Sequence, residues 1–329
     1  MRRILLALLT LLVLLPVAVW GALALWYQLA FNPPVRAIAA GVWAAVIGIT
    51  IWLVWTRRFL AGAALAGVSL ACLLAWWSTI LPSQDRDWQP DMTHLAIARI
   101  DGDILTVNNV RNFRWRGDSA PEERWETRQY RLSQLQGVDL FLSHWSGELV
   151  AHAIISFNFA DSLPLAFSIE IRRENGEAFS SIAGFFKQYE LGLVAADERD
   201  VVKVRSTDRG EDVRIYRLDM QPQTAIGLLR EYVALSQALD ADPRWYHTLT
   251  ANCTTVIFGM ARRLDPGISL DWRILLPGAL PSYLQDHAFL PRDVRVEDLI
   301  RKGQIGERAA GAYPDDGFSA RIREGVPKP

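Results

Sequence analysis

Glu148-Leu-Val-Ala-His-Ala-Ile-Ile-Ser-Phe-Asn-Phe159 is followed, after a short turn, by Leu165-Ala-Phe-Ser-Ile-Glu-Ile-Arg-Arg173. Both stretches are rich in β-branched and aromatic residues, so we expect a β-hairpin with its turn at about 160–163. If the strands pair tightly, opposed residues have numbers that add up to 322 or 323, which places His152 opposite Glu170. Opposed residues share one face of a sheet, so the Glu170 carboxylate could orient the His152 imidazole.

Working outward from this hairpin, the pattern predicts an α+β domain with an antiparallel sheet and helices packed to one side. A further hairpin is expected from 95–100 and 104–107, joined by Asp101-Gly102-Asp103. Other expected strands are 138–143, 201–205 and 212–218. Helical spacing of apolar residues is present at 179–189, 223–239, 253–264 and in a short segment after 290.

Residues 83–329 contain one cysteine, Cys253, in the sequence Asn252-Cys253-Thr254-Thr255. The following apolar residues have helical spacing, so we expect a helix that starts at Cys253 and is capped by Asn252. A thiol in the first turn lies at the positive end of the helix dipole, which favours the thiolate. Cys253 is therefore a candidate nucleophile, with Thr254 in support and first-turn N–H groups available to an oxyanion. The alternative is a small buried apolar residue.

A thiolate nucleophile needs a base, and His152 is the first candidate because Glu170 is placed to orient it. His247, close to Cys253 in sequence, is a second candidate. The alternative for His152 and Glu170 is a buried structural pair in which each side chain only provides the hydrogen-bond partner of the other. Arg172 and Arg173 are candidates for binding phosphate or lipid headgroups, and an ion pair with a nearby glutamate is the alternative.

Three apolar runs precede this domain, at about 4–31, 37–55 and 59–81, and each reaches or approaches the length of a membrane span. A cleaved signal peptide is the alternative for the first run, and buried soluble helices are the alternative for all three. Tryptophans near several ends of the runs favour membrane spans. We expect an anchor at 1–82, a polar linker at 83–94, an exported domain at 95–302 and a polar, loose tail at 303–329.

The charges of the chain are divided unevenly between its two parts. The 329 residues are 50% hydrophobic and have a net charge of −1, yet residues 1–84 contain five arginines and no acidic residue. Arg2, Arg3, Arg57 and Arg58 are expected on the cytoplasmic side, which places the later domain outside the cytoplasm. The composition excludes a strongly basic nucleic-acid-binding protein and a disulfide-stabilised mini-domain. A lone cysteine and dispersed histidines give no metal-ligand spacing, and no cofactor motif is present.

Several short stretches together resemble the Lnb N-terminal periplasmic domain family over about residues 95–275. They are Asp101-Gly-Asp, Val110-Arg-Asn-Phe-Arg, the His152 and Glu170 strands, Ala196-Asp-Glu-Arg-Asp200 and Asn252-Cys-Thr-Thr. The resemblance implies a relation to permuted papain-like proteins of the NlpC and lecithin retinol acyltransferase groups, and it implies lipoprotein N-acyltransferase activity. Lnb proteins have their membrane helices after the periplasmic domain, whereas here the apolar runs come first.

These observations predict a bacterial inner-membrane protein with a periplasmic cysteine acyltransferase domain. The expected reaction passes an acyl group from an ester to an amine through a thioester on Cys253, with a membrane lipid and a lipoprotein N-terminus as partners. The alternatives are a cell-envelope amidase or endopeptidase, and a non-catalytic envelope scaffold.

Overall fold

The computed structural model describes residues 2–116, 119–311 and 317–328. The chain forms two compact units: residues 1–83 with 179–189, and residues 84–178 with 190–329. The first unit contains the apolar N-terminal segment, and the second contains the predicted α+β domain. The expectation of N-terminal apolar helices followed by an α+β domain is thereby confirmed.

The first unit is built from three apolar helices, α1 (Arg2–Gln28), α2 (Pro33–Trp55) and α3 (Phe59–Ser78). Among the described residues, α2 and α3 are long and apolar enough to cross a membrane, while the apolar stretch Leu12–Gln28 of α1 is shorter. The Asn32 side chain caps α2 by accepting a hydrogen bond from the Val35 N–H. Within the described part of the chain, two helices are thus membrane-capable, where the sequence predicted three spans.

The segment 179–189 also belongs to this first unit. The sequence predicted a helix here, and that prediction was wrong, because the segment has only a 3₁₀ turn at Ala183–Phe185 between irregular stretches. Its apolar residues do not form one buried stripe, since Ile182 is 55% exposed while Phe186 is buried. The helical spacing in the sequence therefore did not correspond to one packed face.

Hydrogen bonds connect this segment to the ends of α1 and α3. The Gln28 side chain, at the end of α1, donates to the Phe186 and Lys187 carbonyls at 2.7 and 2.8 Å. The Lys187 ammonium donates to the carbonyls of Trp77, in the last turn of α3, and Ile80, just after that helix. The carboxyl ends of α1 and α3 consequently lie at one end of this unit.

The second unit contains most of the regular structure of the chain. Its strands are β1 (Ile97–Asp101), β2 (Ile104–Arg111), β3 (Arg114–Arg116), β4 (Ser119–Glu122), β5 (Trp125–Arg131), β6 (Leu135–Ser146), β7 (Val150–Phe159), β8 (Leu165–Arg172), β9 (Glu190–Ala196) and β10 (Asp212–Leu218). Its helices are α4 (Glu198–Val201), α5 (Pro222–Ala241), α6 (Cys253–Leu264), α7 (Leu280–Asp286), α8 (Val296–Gly303), α9 (Gly306–Ala309) and α10 (Phe318–Arg321). The predicted helices at 223–239 and 253–264 and the short helix after 290 are confirmed.

The main sheet has the strand order β1-β2-β9-β8-β7-β6-β10, with β5 also paired to β2, and β3 and β4 form a separate ribbon. The prediction of a purely antiparallel sheet was wrong for one pair. Strands β2 and β9 run parallel, with Val110 opposite Ala195. The chain forms the antiparallel strands β6, β7 and β8 first, and β9 then lies between β8 and β2. The sheet is therefore mixed, and the class is α+β.

The central hairpin has the predicted register. Phe157 lies opposite Leu165 and Ile154 lies opposite Ser168, so opposed residue numbers add up to 322. Alternate residues divide between two apolar clusters, with Ile155 in the cluster under α5 and α6 and Ile154 in the cluster on the other face. Both faces of the hairpin are thus covered, which explains its nearly continuous run of apolar residues.

The predicted strand at 201–205 is not formed. Instead α4 ends at Val201 and a single π-helical turn covers Val204–Asp208. The Asp197 side chain caps α4 by accepting from the Arg199 N–H, which starts a helix directly after β9. Alternating apolar residues suggested a strand, but the cap and the surrounding packing favour helical turns.

The segments that flank the domain are more ordered than the sequence suggested. In the predicted linker 83–94, Trp88 and Met92 are buried against the domain. In the predicted loose tail, Phe318, Ile322 and Val326 are buried in the cluster on the face of the sheet opposite α6. The prediction of a loose tail was therefore wrong for the described residues after 303.

Arg323 connects this C-terminal segment to the sheet, and its loss is expected to destabilise the domain. Its guanidinium contacts Asp139 and Glu198 at 2.7 and 2.5 Å, and these carboxylates are 1% and 0% exposed. Arg323→Ala would leave two buried carboxylates without this partner, which we expect to cost about 3 kcal/mol of unfolding free energy. Chemical denaturation measures it, with Arg295→Ala at a 75% exposed ion pair as control. Equal stability of the two variants would contradict this account.

Candidate active site

Cys253 is the first residue of α6, and the local sequence determines this position. The Asn252 side chain accepts hydrogen bonds from the N–H groups of Thr254 and Thr255 at 3.0 and 2.9 Å. The Thr255 hydroxyl in turn accepts from the Asn252 N–H, which completes a capping box. The helix therefore begins where the sequence predicted, with a buried thiol in its first turn.

The site lies where strands β7 and β8 separate. Their pairing ends at Ile154 and Ser168, although β7 remains paired with β6 and β8 with β9 beyond that point. His152 and Glu170 lie two residues beyond this last pair, where β7 and β8 are no longer paired with each other. The Cys253 thiol of α6 forms a hydrogen bond with the His152 side chain of β7.

The predicted pair of His152 and Glu170 is formed. His152 Nε2 lies 3.1 Å from Glu170 Oε1 and 2.7 Å from Ser168 Oγ, and the Ser168 hydroxyl donates to Glu170 Oε1 at 2.6 Å. Because the serine proton is directed at the carboxylate, Nε2 must be the donor to these oxygens. The carboxylate therefore fixes the ring, and Nδ1 is the nitrogen left for the thiol.

Arg205 is a further member of this cluster and was not among the site residues predicted from the sequence. Its guanidinium donates to Glu170 Oε1 at 2.7 Å and to the Val201 carbonyl. The residue lies in the π-helical turn that the sequence analysis assigned to a strand, so its side-chain direction could not be inferred. Together with His152 and Ser168, Arg205 holds Glu170 in its ionised form.

The electrostatics of the cluster favour a thiolate–imidazolium pair. Burial lowers the pKa of His152, but the Glu170 charge and hydrogen bonds to Cys253 and Glu170 outweigh it and raise that pKa to about 9. Burial raises the pKa of the Cys253 thiol, but His152 and the Ala153 N–H lower it below its ordinary value. Burial likewise opposes ionisation of Glu170, yet His152 and Arg205 hold its pKa well below the usual range.

One first-turn donor remains for a substrate oxyanion. The N–H groups of Thr254 and Thr255 are occupied by the Asn252 side chain, so they do not serve as the sequence analysis suggested. Within the described residues, the Cys253 N–H donates to no protein acceptor. Since it lies on the nucleophile itself, it is placed to stabilise charge on a carbonyl oxygen attacked by the thiolate.

The other predicted site residues have different surroundings. The Arg172 guanidinium is buried, donates to the Met92 and Thr93 carbonyls and lies 4.2 Å from the Trp88 ring centroid. It stabilises the segment before β1, and this arrangement does not present it to a headgroup. The neighbouring Arg173 accepts a hydrogen bond from the Gln89 N–H through its carbonyl.

The second base candidate, His247, is engaged by its own loop. Its Nδ1 accepts hydrogen bonds from the N–H groups of Leu249 and Thr250 at 3.3 Å.

The Thr254 hydroxyl donates to the Ile274 carbonyl at 2.6 Å and so connects the helix start to the loop after α6. The structure therefore brings together Cys253, His152 and Glu170, with Asn252 and Thr254 in support.

Glu170→Gln is expected to make the thiol less reactive at neutral pH. The amide has the same shape but no charge, so the His152 imidazolium loses the carboxylate that raises its pKa and the thiolate population falls. We expect the alkylation rate of Cys253 by iodoacetamide at pH 7 to fall about tenfold, as a shift of about one pKa unit implies. Glu231→Gln, which removes a carboxylate paired with exposed Arg263, is the control. An unchanged rate in folded Glu170→Gln protein would contradict this reading.

Comparison with known families supports the resemblance seen in the sequence. Residues 121–282 match the family described as Lnb N-terminal periplasmic domain. The matched segment includes His152, Glu170 and Cys253, and it confirms the predicted resemblance. No curated protein and no solved structure matches the chain.

Proposed function

We propose, with the Lnb-family match of residues 121–282 as the premise, that this protein is a membrane-anchored periplasmic cysteine acyltransferase. The observation that carries the proposal is the cluster of Cys253, at the start of α6, with His152 of β7 and Glu170 of β8. A nucleophile, a base and an oriented third group in this order are the components of thiol catalysis. The histidine strand precedes the cysteine helix in the chain, which supports a permuted papain-like fold.

The first step forms a thioester. The Cys253 thiolate attacks the carbonyl carbon of an ester, and the Cys253 N–H stabilises the negative charge on the carbonyl oxygen. When the tetrahedral intermediate collapses, the carbon–oxygen bond breaks, and the imidazolium of His152 gives its proton to the leaving alkoxide. The products are an alcohol and an acyl group bound to sulfur, with His152 neutral.

The second step transfers the acyl group to an amine. The amine nitrogen attacks the thioester carbonyl, and neutral His152 accepts the proton that the nitrogen loses. The carbon–sulfur bond then breaks, which releases the amide and restores the thiolate beside an imidazolium. Glu170 maintains the ring orientation through both steps because its contact occupies Nε2, which leaves Nδ1 to exchange the proton.

An anchored substrate suits an anchored enzyme. The membrane-capable helices α2 and α3 and the apolar α1 support a membrane anchor, and the positions of Arg2, Arg3, Arg57 and Arg58 favour a cytoplasmic N-terminus. The arrangement of the first unit is consistent with this topology, since the ends of α1 and α3 lie together and contact a segment from the middle of the exported sequence. We accordingly place the protein in a bacterial inner membrane with its catalytic domain in the periplasm.

The substrate classes follow from the resemblance and from the chemistry. A membrane lipid ester would supply the acyl group, and the amino terminus of a lipoprotein would accept it. The apolar cavity residues along α6, which include Ile257, Phe258 and Ala261, favour acyl transfer over cleavage of a peptide, since a peptide-binding cleft needs polar groups for its backbone. Hydrolysis of an amide and a non-catalytic role are outcomes that the experiment below separates.

The experiment is reconstitution of the full chain in lipid nanodiscs with a phospholipid donor and a diacylated lipopeptide that has a free amino terminus. We expect the lipopeptide mass to increase by one acyl group. Loss of mass from a peptide bond in the lipopeptide would indicate an amidase instead. An unchanged lipopeptide, together with failure of iodoacetamide to label Cys253 near neutral pH, would favour the non-catalytic role.

A further inference from the structure

We infer that an apolar cavity behind α6 holds the chain of the acyl group while it is attached to Cys253. The inference deepens the proposed function and rests on it for the origin of the chain. The cavity has a volume of about 110 Å³ and lies wholly within the second unit. Its walls include Ala153 and Thr254, which directly follow the base and the nucleophile in sequence.

The cavity follows the helix that carries the nucleophile. Its α6 wall is formed by residues spaced as one helical face, namely Thr254, Ile257, Phe258, Ala261 and Leu264. At 1.5 Å per residue this wall extends for about 15 Å from the helix start. A small volume beside so long a wall is narrow. Ala153, which lines this apolar space, forms a backbone hydrogen bond with Cys253, so the space suits a linear chain attached to the sulfur.

The chemistry of the walls selects an apolar occupant. The opposite side is contributed by the sheet and by α5 and α7, through residues that include Leu140, Ile155, Leu218, Leu228 and Tyr283. Of the polar residues in the wall, Thr254 directs its hydroxyl at the Ile274 carbonyl, and Asp265 accepts from the Gly267 N–H. Apolar cavities of this size remain dry and bind apolar ligands, and each methylene that enters the cavity is removed from water, which favours binding.

The loop that closes the cavity is apolar on its outer side as well. Ile274 is buried and lines the cavity, whereas Leu270 and Trp272 on the same loop are 69% and 60% exposed. The Thr254 hydroxyl holds this loop against the helix start. A loop with one side on the cavity and exposed apolar side chains on the other favours an acyl chain that comes from lipid over a polar peptide.

The test combines a substitution that narrows the cavity with acyl groups of two lengths. Ala261→Phe places an aromatic ring in the α6 wall, and Ala234→Phe, at an exposed position of α5, is the matched control. The full chain in nanodiscs is treated with the p-nitrophenyl esters of acetate and octanoate, and attachment to Cys253 is followed by intact mass. We expect Ala261→Phe to slow octanoylation about tenfold or more, since the chain loses several buried methylenes, and to leave acetylation nearly unchanged.

A second measurement does not depend on catalysis. An octanoic acid analogue with a terminal diazirine is photolysed with the Cys253→Ala protein in nanodiscs, and crosslinked peptides are identified. We expect crosslinks to the peptides of α6 and α7. Adding Ala261→Phe to the Cys253→Ala protein should abolish these crosslinks, whereas adding Ala234→Phe should not. Thermal unfolding of each variant establishes that the domain is folded.

The outcomes separate the cavity from the reaction. The cavity assignment would be overturned if Ala261→Phe changed the rates of acetylation and octanoylation of Cys253 equally and no crosslinks to α6 or α7 formed. That result would still be compatible with acyl transfer. Crosslinks to the cavity without acylation by either ester would support the apolar site and refute the transfer reaction. Chain-length-dependent loss in Ala261→Phe together with the crosslinks is the result that the inference predicts.

Discussion

Replacement of Cys253 by alanine or serine is expected to reduce acyl transfer in nanodiscs by about 10³-fold or more, as loss of a catalytic nucleophile does in enzymes of this type. Without the sulfur no thioester forms, and a serine hydroxyl at this position lacks the acidity that makes the thiol ionise beside His152. The measurement is the initial rate of lipopeptide acylation by mass spectrometry.

The chain offers a matched control for this variant. Cys72 lies in α3 and is the other cysteine of the sequence. Cys72→Ser is expected to retain the wild-type rate, because the residue lies in the first unit and not in the catalytic cluster. Retention of activity in Cys253→Ala, or its loss in Cys72→Ser with intact folding, would contradict the assignment of Cys253 as nucleophile.

Removal of His152 is the second change with a large expected effect. His152→Gln keeps a polar side chain but removes the titratable ring that serves as acid and base, so we expect a loss of about 10² to 10⁴ in the transfer rate. The same change removes the positive charge that lowers the pKa of Cys253, so thiol alkylation at pH 7 is also expected to slow. His247→Gln is the control, since that ring binds its own loop.

The pH dependence distinguishes catalysis from mere thiol reactivity. His152 has a pKa of about 9, so its imidazolium is present below that pH and is lost as the pH rises through it. Thioester formation needs this proton for the leaving alkoxide, so its rate is expected to fall above pH 9. Alkylation by iodoacetamide needs only the thiolate and should not fall there. Identical alkaline limbs for the two reactions would contradict the role of His152 as acid.

Much of the site could be predicted from the sequence because its determinants are local. The hairpin register follows from strand alternation and a short turn, so His152 and Glu170 were expected to be neighbours, as they are. The start of α6 follows from one capping residue and the apolar spacing after it, so the position of Cys253 was also predictable.

The parts that could not be predicted depend on distant packing. Arg205 reaches Glu170 from a π-helical turn whose apolar alternation resembled a strand. The parallel pairing of β2 with β9 joins residues more than 80 positions apart, and nothing local in either strand specifies it. The C-terminal segment was read as loose because it is polar, although one arginine and three apolar residues bind it to the sheet.

Acyl transfer through a thioester on Cys253 can be tested by the intact mass of the full chain after it is mixed with phospholipid donor in the absence of an acceptor. We expect an increase equal to one acyl group, located by peptide mapping on Cys253 and released by neutral hydroxylamine, as a thioester requires. Addition of the lipopeptide should remove that mass and return it on the amino terminus of the acceptor. An acylated lipopeptide that forms while Cys253 is never acylated, in folded wild-type protein, would contradict transfer through this thioester.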